Sequence, residues 1–401
     1  MSTLAELLQL KEPERAQAAS PAFALWQLGF RPFYLLASIF ASLSIALWGA
    51  QYAGWLSAPY LHGPLWHAHE MVFGFTLAVM TGFLFTAVRN WTNRSTPTGV
   101  ALAALAALWL AGRVLVLTPY AIAAAAVNAA FPLAVELGIG TALAKGGNRH
   151  NVFFVVLLAA MAAAELATHL ASLGLVPISE WLGVQAALDI VLIVMTILGG
   201  RVIPMFTRNG VRDADVRSNA LLERVVPLSV VAVFFADLLP LPTLLVAVVL
   251  AIAAIAQAAC VLLWSPWRTL RVPMVWILNV GYLWIPVHLA LRALSAIDVV
   301  PSPLATHALT AGAIGALTIG MMARTARGHT GRPIVADVYE IAAFALVTTA
   351  AITRVLVPLA MPSTYRVAVI VSACLWSLAY AIYALRYWPI LTRPRVDGKP
   401  G

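Results

Sequence analysis

The sequence predicts an all-α integral membrane protein of about twelve transmembrane helices. Three observations lead there. Of 401 residues, 62% are hydrophobic and only 10% are charged, where a soluble domain carries roughly a quarter charged residues. The apolar residues gather into runs of about twenty, the length of a spanning helix. Lysine and arginine fall in alternate loops between those runs, as the positive-inside rule requires.

The spans expected are 31–53, 66–88, 98–117, 119–144, 150–172, 181–203, 222–239, 242–264, 272–294, 304–326, 335–358 and 363–386. The first follows a stretch of mixed polarity, residues 1–30, and reads as an uncleaved anchor. The second opens on His67 and His69 and ends at Arg89. The third carries Arg113, the fourth Glu136, the fifth Glu165 and His169, and the sixth Asp189. The seventh has no histidine, and the eighth holds Cys260. The ninth carries His288 and Arg292, the tenth opens at His307, the eleventh carries Arg354 and the twelfth Cys374. A basic tail, 387–401, follows. Residues 1–401 therefore read as one polytopic membrane domain.

Basic residues mark every second loop: Arg89 and Arg94; Lys145 and Arg149; Arg208, Arg212 and Arg217; Arg268 and Arg271; Arg324, Arg327 and Arg332; and the tail. The loops 54–65, 173–180, 238–242 and 295–303 have none. Both termini are therefore expected in the cytoplasm, which an even helix count also requires. The net charge of +9 is spread over all the inner loops, which argues against nucleic-acid binding. Cys260 and Cys374 form no CxxC pair, so any metal must take nitrogen and oxygen ligands.

Two runs share one spacing. With His69 aligned on His307, Gly74 meets Gly312, Ala78 meets Ala316, Gly82 meets Gly320, Arg89 meets Arg327, Thr92 meets Thr330 and Arg94 meets Arg332. Each run starts with a histidine and ends in R-x-x-T-x-R, so the second and tenth helices would present an imidazole at the same depth. His69 and His307 are the expected ligands of one metal centre. His67 and His69 cannot point the same way, since two helical residues turn about 200°; one serves one centre, the other a second centre or a hydrogen bond.

Six of the eight histidines fall in the outer half: His62, His67, His69, His169, His288 and His307. Arg113, Glu165, Asp189, Arg292 and Arg354 map there too. Ionisable groups in a bilayer usually face a bundle interior or cavity. Arg113, Arg292 and Arg354 have two readings, as structural ion pairs with Glu165 and Asp189 or as partners of haem propionates. The small residues Gly74, Ala78, Thr81 and Gly82, with Gly312, Gly315, Ala316 and Gly320, mark close helix packing or leave room for a flat macrocycle. For each outer histidine the plain alternative is a seat at the membrane interface.

Gly29-Phe30-Arg31-Pro32-Phe33, Trp66-His67-Ala68-His69-Glu70-Met71, Gly199-Gly200-Arg201-Val202-Ile203-Pro204 and Gly328-His329-Thr330-Gly331-Arg332 together resemble the NnrS family of bacterial membrane proteins. The resemblance implies a multi-pass protein of the bacterial inner membrane that contains haem (expected as the b type) and copper, tied to denitrification and to the nitric oxide response. Nitric oxide would be its ligand or substrate, and an oxidoreductase acting on it is one outcome. The layout is also similar to the catalytic subunit of haem-copper oxidases, with three four-helix arcs and a low-spin haem between helices 2 and 10. The sixth helix, however, has Val184 where the repeat has histidine, and the seventh lacks a histidine pair. His69, His307, His67, Arg113 and Arg292 are thus the expected cofactor-binding residues; His67, His169 and His288 are the first choices for a second metal.

A secondary transporter and a scaffold without chemistry are the alternatives. Transporter folds repeat at six helices or by inversion, whereas this repeat spans eight helices in one orientation.

Overall fold

The described residues form a bundle of twelve helices in sequence, with no strand among them. The computed structural model describes residues 23–56 and 60–399; most of the expected N-terminal segment, and the middle of the first loop, lie outside that range. The helices are α1 Phe30–Tyr52, α2 Pro64–Thr92, α3 Gly99–Leu115, α4 Ala121–Lys145, α5 Phe153–Ser172, α6 Glu180–Gly210, α7 Ala220–Leu238, α8 Thr243–Leu262, α9 Pro273–Ala296, α10 Ser302–His329, α11 Val338–Ala360 and α12 Tyr365–Thr392. Each expected span has its helix.

Ten of these helices are long and apolar enough to cross a membrane. Of the others, α3 is apolar but only 17 residues long, and α7 carries Glu223, Arg224 and Asp237. Two helices outrun their predicted ends the most. The expected boundaries at 203 and 386 followed apolarity, but α6 continues through Pro204 and α12 through Pro389. A proline costs an internal helix one hydrogen bond, and the polar ends of both helices tolerate that.

The large side chains exposed on the outer helices are apolar: Val100, Ile122, Leu137, Leu244 and Leu385 are all at least 70% exposed. Such a surface suits lipid rather than water. The enclosed helices are α2, α6, α9 and α10. Three of these, α2, α6 and α10, stand four helices apart in order, the periodicity of three arcs of four; α9 joins them inside.

The two ends of the bundle meet on the basic face. The Ala24 amide donates to Thr392 O at 2.8 Å, and buried Arg31 donates to Leu391 O and Arg393 O, both at 2.9 Å. α1 packs on α2 and on α12, which closes the bundle. Both termini of the bundle therefore lie on one side.

The repeat seen in sequence is a structural repeat. α2 and α10 each widen into a π-helical stretch of seven residues, Glu70–Thr76 and Ala308–Ile314. Each begins on the residue after the aligned histidine. π-turns insert a residue into the ladder and occur frequently at functional sites. The aligned glycines are filled against. A Cβ on Gly74 would lie 2.6 Å from Phe40 and 2.8 Å from Arg113 Nη1, and one on Gly312 would lie 2.5 Å from Trp284. Side chains occupy these positions, so close packing is the reading that holds.

Candidate metal centre

Gly63 at φ 52° and Pro64 at the first turn start α2, a proline position that needs no N–H. His67 and His69 follow within the next turn and diverge. The His67 ring stacks on Trp48 at 5.1 Å between centroids and faces His307 at 6.2 Å, with ring planes 6° apart. His307 Nδ1 donates to Pro303 O at 2.7 Å. A carbonyl only accepts, so His307 Nε2 carries a free lone pair. The charge of Arg354, from α11, acts on both imidazoles.

His69 turns the other way, into a fully buried polar cluster. Its Nδ1 bonds to Glu70 Oε1 at 2.8 Å, and its Nε2 lies 3.1 Å from His169 Nε2. His169 comes from α5, where Glu165 stands one turn away on the same face. Glu165 Oε1 is 3.7 Å from His69 Nε2, and its Oε2 has no hydrogen-bond partner. His69, His169 and Glu165 each offer one ligand atom, all within 4.8 Å of one another. Tyr60 OH holds His169 Nδ1 at 3.0 Å. Beneath them Arg113, from α3, donates to Glu70 Oε1 at 2.7 Å, lies 3.8 Å from Glu165 Oε1 and bonds Asn128 of α4. Arg113 reaches Glu70 past Gly74, which has no side chain to block it.

A second ionic cluster joins α6, α7 and α9. Arg292 binds both oxygens of Asp237, at 2.6 and 2.8 Å, and Asp189 Oδ1 at 3.3 Å. Gln185 bridges the two carboxyls. His288, one turn from Arg292, donates from Nδ1 to Ala305 O at 2.7 Å and leaves Nε2 buried without a partner.

The expected site residues thus fall into three groups. His67 stands opposite His307. His69 is set against His169 and Glu165. Arg292 belongs with Asp189 and Asp237, and His288 stands near them. Arg113 and Arg292 each stand between two carboxyl groups, which is the ion-pair reading of these arginines. Arg354 differs: it is buried, donates to Tyr365 OH at 3.2 Å, keeps Nη1 unpartnered and has no carboxylate partner among the described residues. An apolar recess of about 320 Å³, lined by Leu304, Pro358 and Tyr365 among others, opens beside it. His62 lies exposed in its loop, His150 bonds Arg201 and His329 packs on Phe30 at the basic face.

Sequence reasoning passed over Glu70, Tyr60, Asn128, Gln185 and Asp237 as site residues. Glu70 sits beside His69 in the motif, and its charge within an apolar span was the available signal. Tyr60 and Asn128 carry no such mark.

A family model described as NnrS protein matches residues 24–395 of the chain. No curated protein matches it.

Proposed function

From the premise that the chain belongs to the NnrS family, we propose that it is a haem- and copper-binding membrane protein of the nitric oxide response. The family supports the nitric oxide context; the metal reading rests on the donors described above. The observation that carries it is the buried His69–His169–Glu165 set.

These donors fit a metal ion. Two metal–nitrogen bonds of about 2.0 Å at a tetrahedral angle span about 3.3 Å between nitrogens, and the two Nε2 atoms are 3.1 Å apart. Imidazole with one carboxylate suits copper and its neighbours in the first transition row. Glu70 on His69 Nδ1 and Tyr60 on His169 Nδ1 would fix ring orientation, as the outer partners of metal-binding histidines do. With three protein ligands, a bound ion would keep room for a further one.

His67 and His307 fit a second centre. Their rings lie 6.2 Å apart between centroids and nearly parallel, a separation at which the two imidazoles would hold one haem iron between them. An offset-stacked pair without metal also falls in that range. Arg354 favours the haem: an unpaired buried cation is costly, and a propionate carboxylate would pair it. This assignment replaces His69 by His67 as the partner of His307, and Arg113 and Arg292 by Arg354 as the partner of propionate.

A haem held by two histidines would supply electron transfer. The protein's own part is to hold four imidazoles in fixed orientations, exclude water from Glu70 and Glu165, and leave nitric oxide one coordination position beside them. Location in the bacterial inner membrane belongs to the same reading.

The test is metal content and visible spectrum of the purified protein and four variants. His67→Ala and His307→Ala should lose most Soret absorbance and keep copper. His69→Ala and His169→Ala should lose copper and keep the Soret band. A metal-free wild type, or full retention of both metals in all four variants, would reject the assignment. Nitric oxide added anaerobically to the reduced protein then separates binding, a spectral change alone, from turnover, sustained gas consumption.

A further inference from the structure

The cluster of Asp189, Asp237 and Arg292 does not balance in charge. Two carboxyls surround one guanidinium, in helices with membrane-spanning neighbours on both sides. Asp189 is fully buried, Asp237 is 11% exposed and Arg292 15%. If both carboxyls were ionised, the group would hold a net negative charge in a region where an unpaired charge is expensive.

The hydrogen bonds show where the imbalance sits. Both oxygens of Asp237 bond to Arg292 Nη2, at 2.8 and 2.6 Å. Asp189 Oδ1 takes Arg292 Nη1 at 3.3 Å and Gln185 Nε2 at 3.0 Å. Asp189 Oδ2 is buried and has no donor at all. Only one oxygen of the four is without a partner. An oxygen-seeking cation such as Ca²⁺ or Mg²⁺ takes six or more oxygen ligands; a proton needs one.

We propose that Asp189 is a protonated carboxylic acid, a proton-binding site whose proton sits on Oδ2, beside an Arg292–Asp237 ion pair. The triad is then neutral. The proton goes to the carboxyl with fewer ionic contacts and less water, which is Asp189. Proton exchange runs through Asp237, the carboxyl with some exposure. From α7 Asp189 is faced by Asp237, from α9 by Arg292 with His288 one turn away, and along α6 by Gln185. α5, also packed on α6, turns Glu165 and His169 towards His69 instead. The site needs no bound metal and stands apart from the proposed function.

Infrared difference spectroscopy of the full-length protein tests it. The wild type at neutral pH should show a carboxylic acid carbonyl band that shifts in D₂O. Asp189→Asn should lose that band and melt within a degree or two of wild type, because asparagine mimics the neutral acid. Asp237→Asn should lose it too, since Asp189 would then ionise against Arg292. Glu165→Gln should retain it. A band that survives Asp189→Asn, or no band in the wild type, would overturn the proposal. So would wild-type melting that rises in sodium chloride over choline chloride while Asp189→Asn does not respond, because a sodium ion would then hold the place of the proton.

Discussion

Two helical residues separate His67 from His69, and the turn of about 200° between them sends one imidazole towards α10 and the other towards α5. That divergence was legible, because it follows from helix geometry alone. The partners were not. His169 and His307 lie 102 and 240 positions from His67 in sequence, by subtraction of their numbers, and no local pattern says which of the two meets which. The repeat pointed to His69 with His307, since a repeat reports equivalent depth in two helices and not a contact between them. Glu70 shows what the residue scale contributes. It binds His69 Nδ1 and Arg113 at once, so it orients a proposed ligand while keeping its own charge paired. Glu70→Gln should lower metal affinity at His69 and His169 by about 10- to 100-fold, the usual effect of losing such a partner, and leave the Soret band unchanged. Metal titration beside the visible spectrum measures both. Equal loss at the two centres would show that Glu70 only holds the fold.

At the scale of elements, the small-residue stripes were read two ways from sequence, and space decides between them. Trp284 of α9 sits where a Gly312 side chain would go, so α9 approaches the π-turn of α10 directly. Gly312→Ala should cost about 1–3 kcal/mol through overpacking and lower the melting temperature in detergent. Gly200 of α6 is the control: a Cβ there meets nothing within 4 Å, so Gly200→Ala should be neutral or stabilising, by up to about 1 kcal/mol. Equal melting of the two variants would mean that the Trp284 contact yields easily. The start of α11 offers a second case. Asp337 caps it in a capping box with Glu340 and also takes Arg386 at 2.6 Å and Arg327 at 3.1 Å. Partial burial raises its carboxyl, but hydrogen bonding with Glu340 and the Arg386 charge outweigh that and hold it well below the usual range. A depressed folded value stabilises above the unfolded one, near 3.9, so this contribution is complete at pH 7 and fades only as pH falls below about 4. Asp337→Ala should cost about 1 kcal/mol of helix capping at pH 7 and progressively less at acid pH. A melting difference that grew on acidification would contradict that sign.

For the whole molecule, the count and order of helices were legible because apolar run length is a property of contiguous sequence. Enclosure was not, because α9 and α10 differ little from their neighbours in composition and are buried only by what surrounds them. The structure places both ends of the bundle on the face that carries Arg89, Arg327 and Arg332, joined by Ala24 and Thr392. Which side of the membrane that face meets is a matter of charge. Arginine and lysine in short loops are retained on the cytoplasmic side, and loops 173–180, 238–242 and 295–303 have neither. The prediction is that both termini and the loop after α2 are cytoplasmic, while the α9–α10 loop and the histidine-bearing ends of α2 and α10 face outward. The proposed metals and the Asp189 proton site would then be reached from the outside. Reporter fusions near Arg94 and near Pro301 measure this directly. Opposite sides, with Arg94 inside, are expected; the same side for both would break the twelve-span topology. Arg94 outside with Pro301 inside would keep the fold but invert it, and the metal centres would then meet nitric oxide from the cytoplasm.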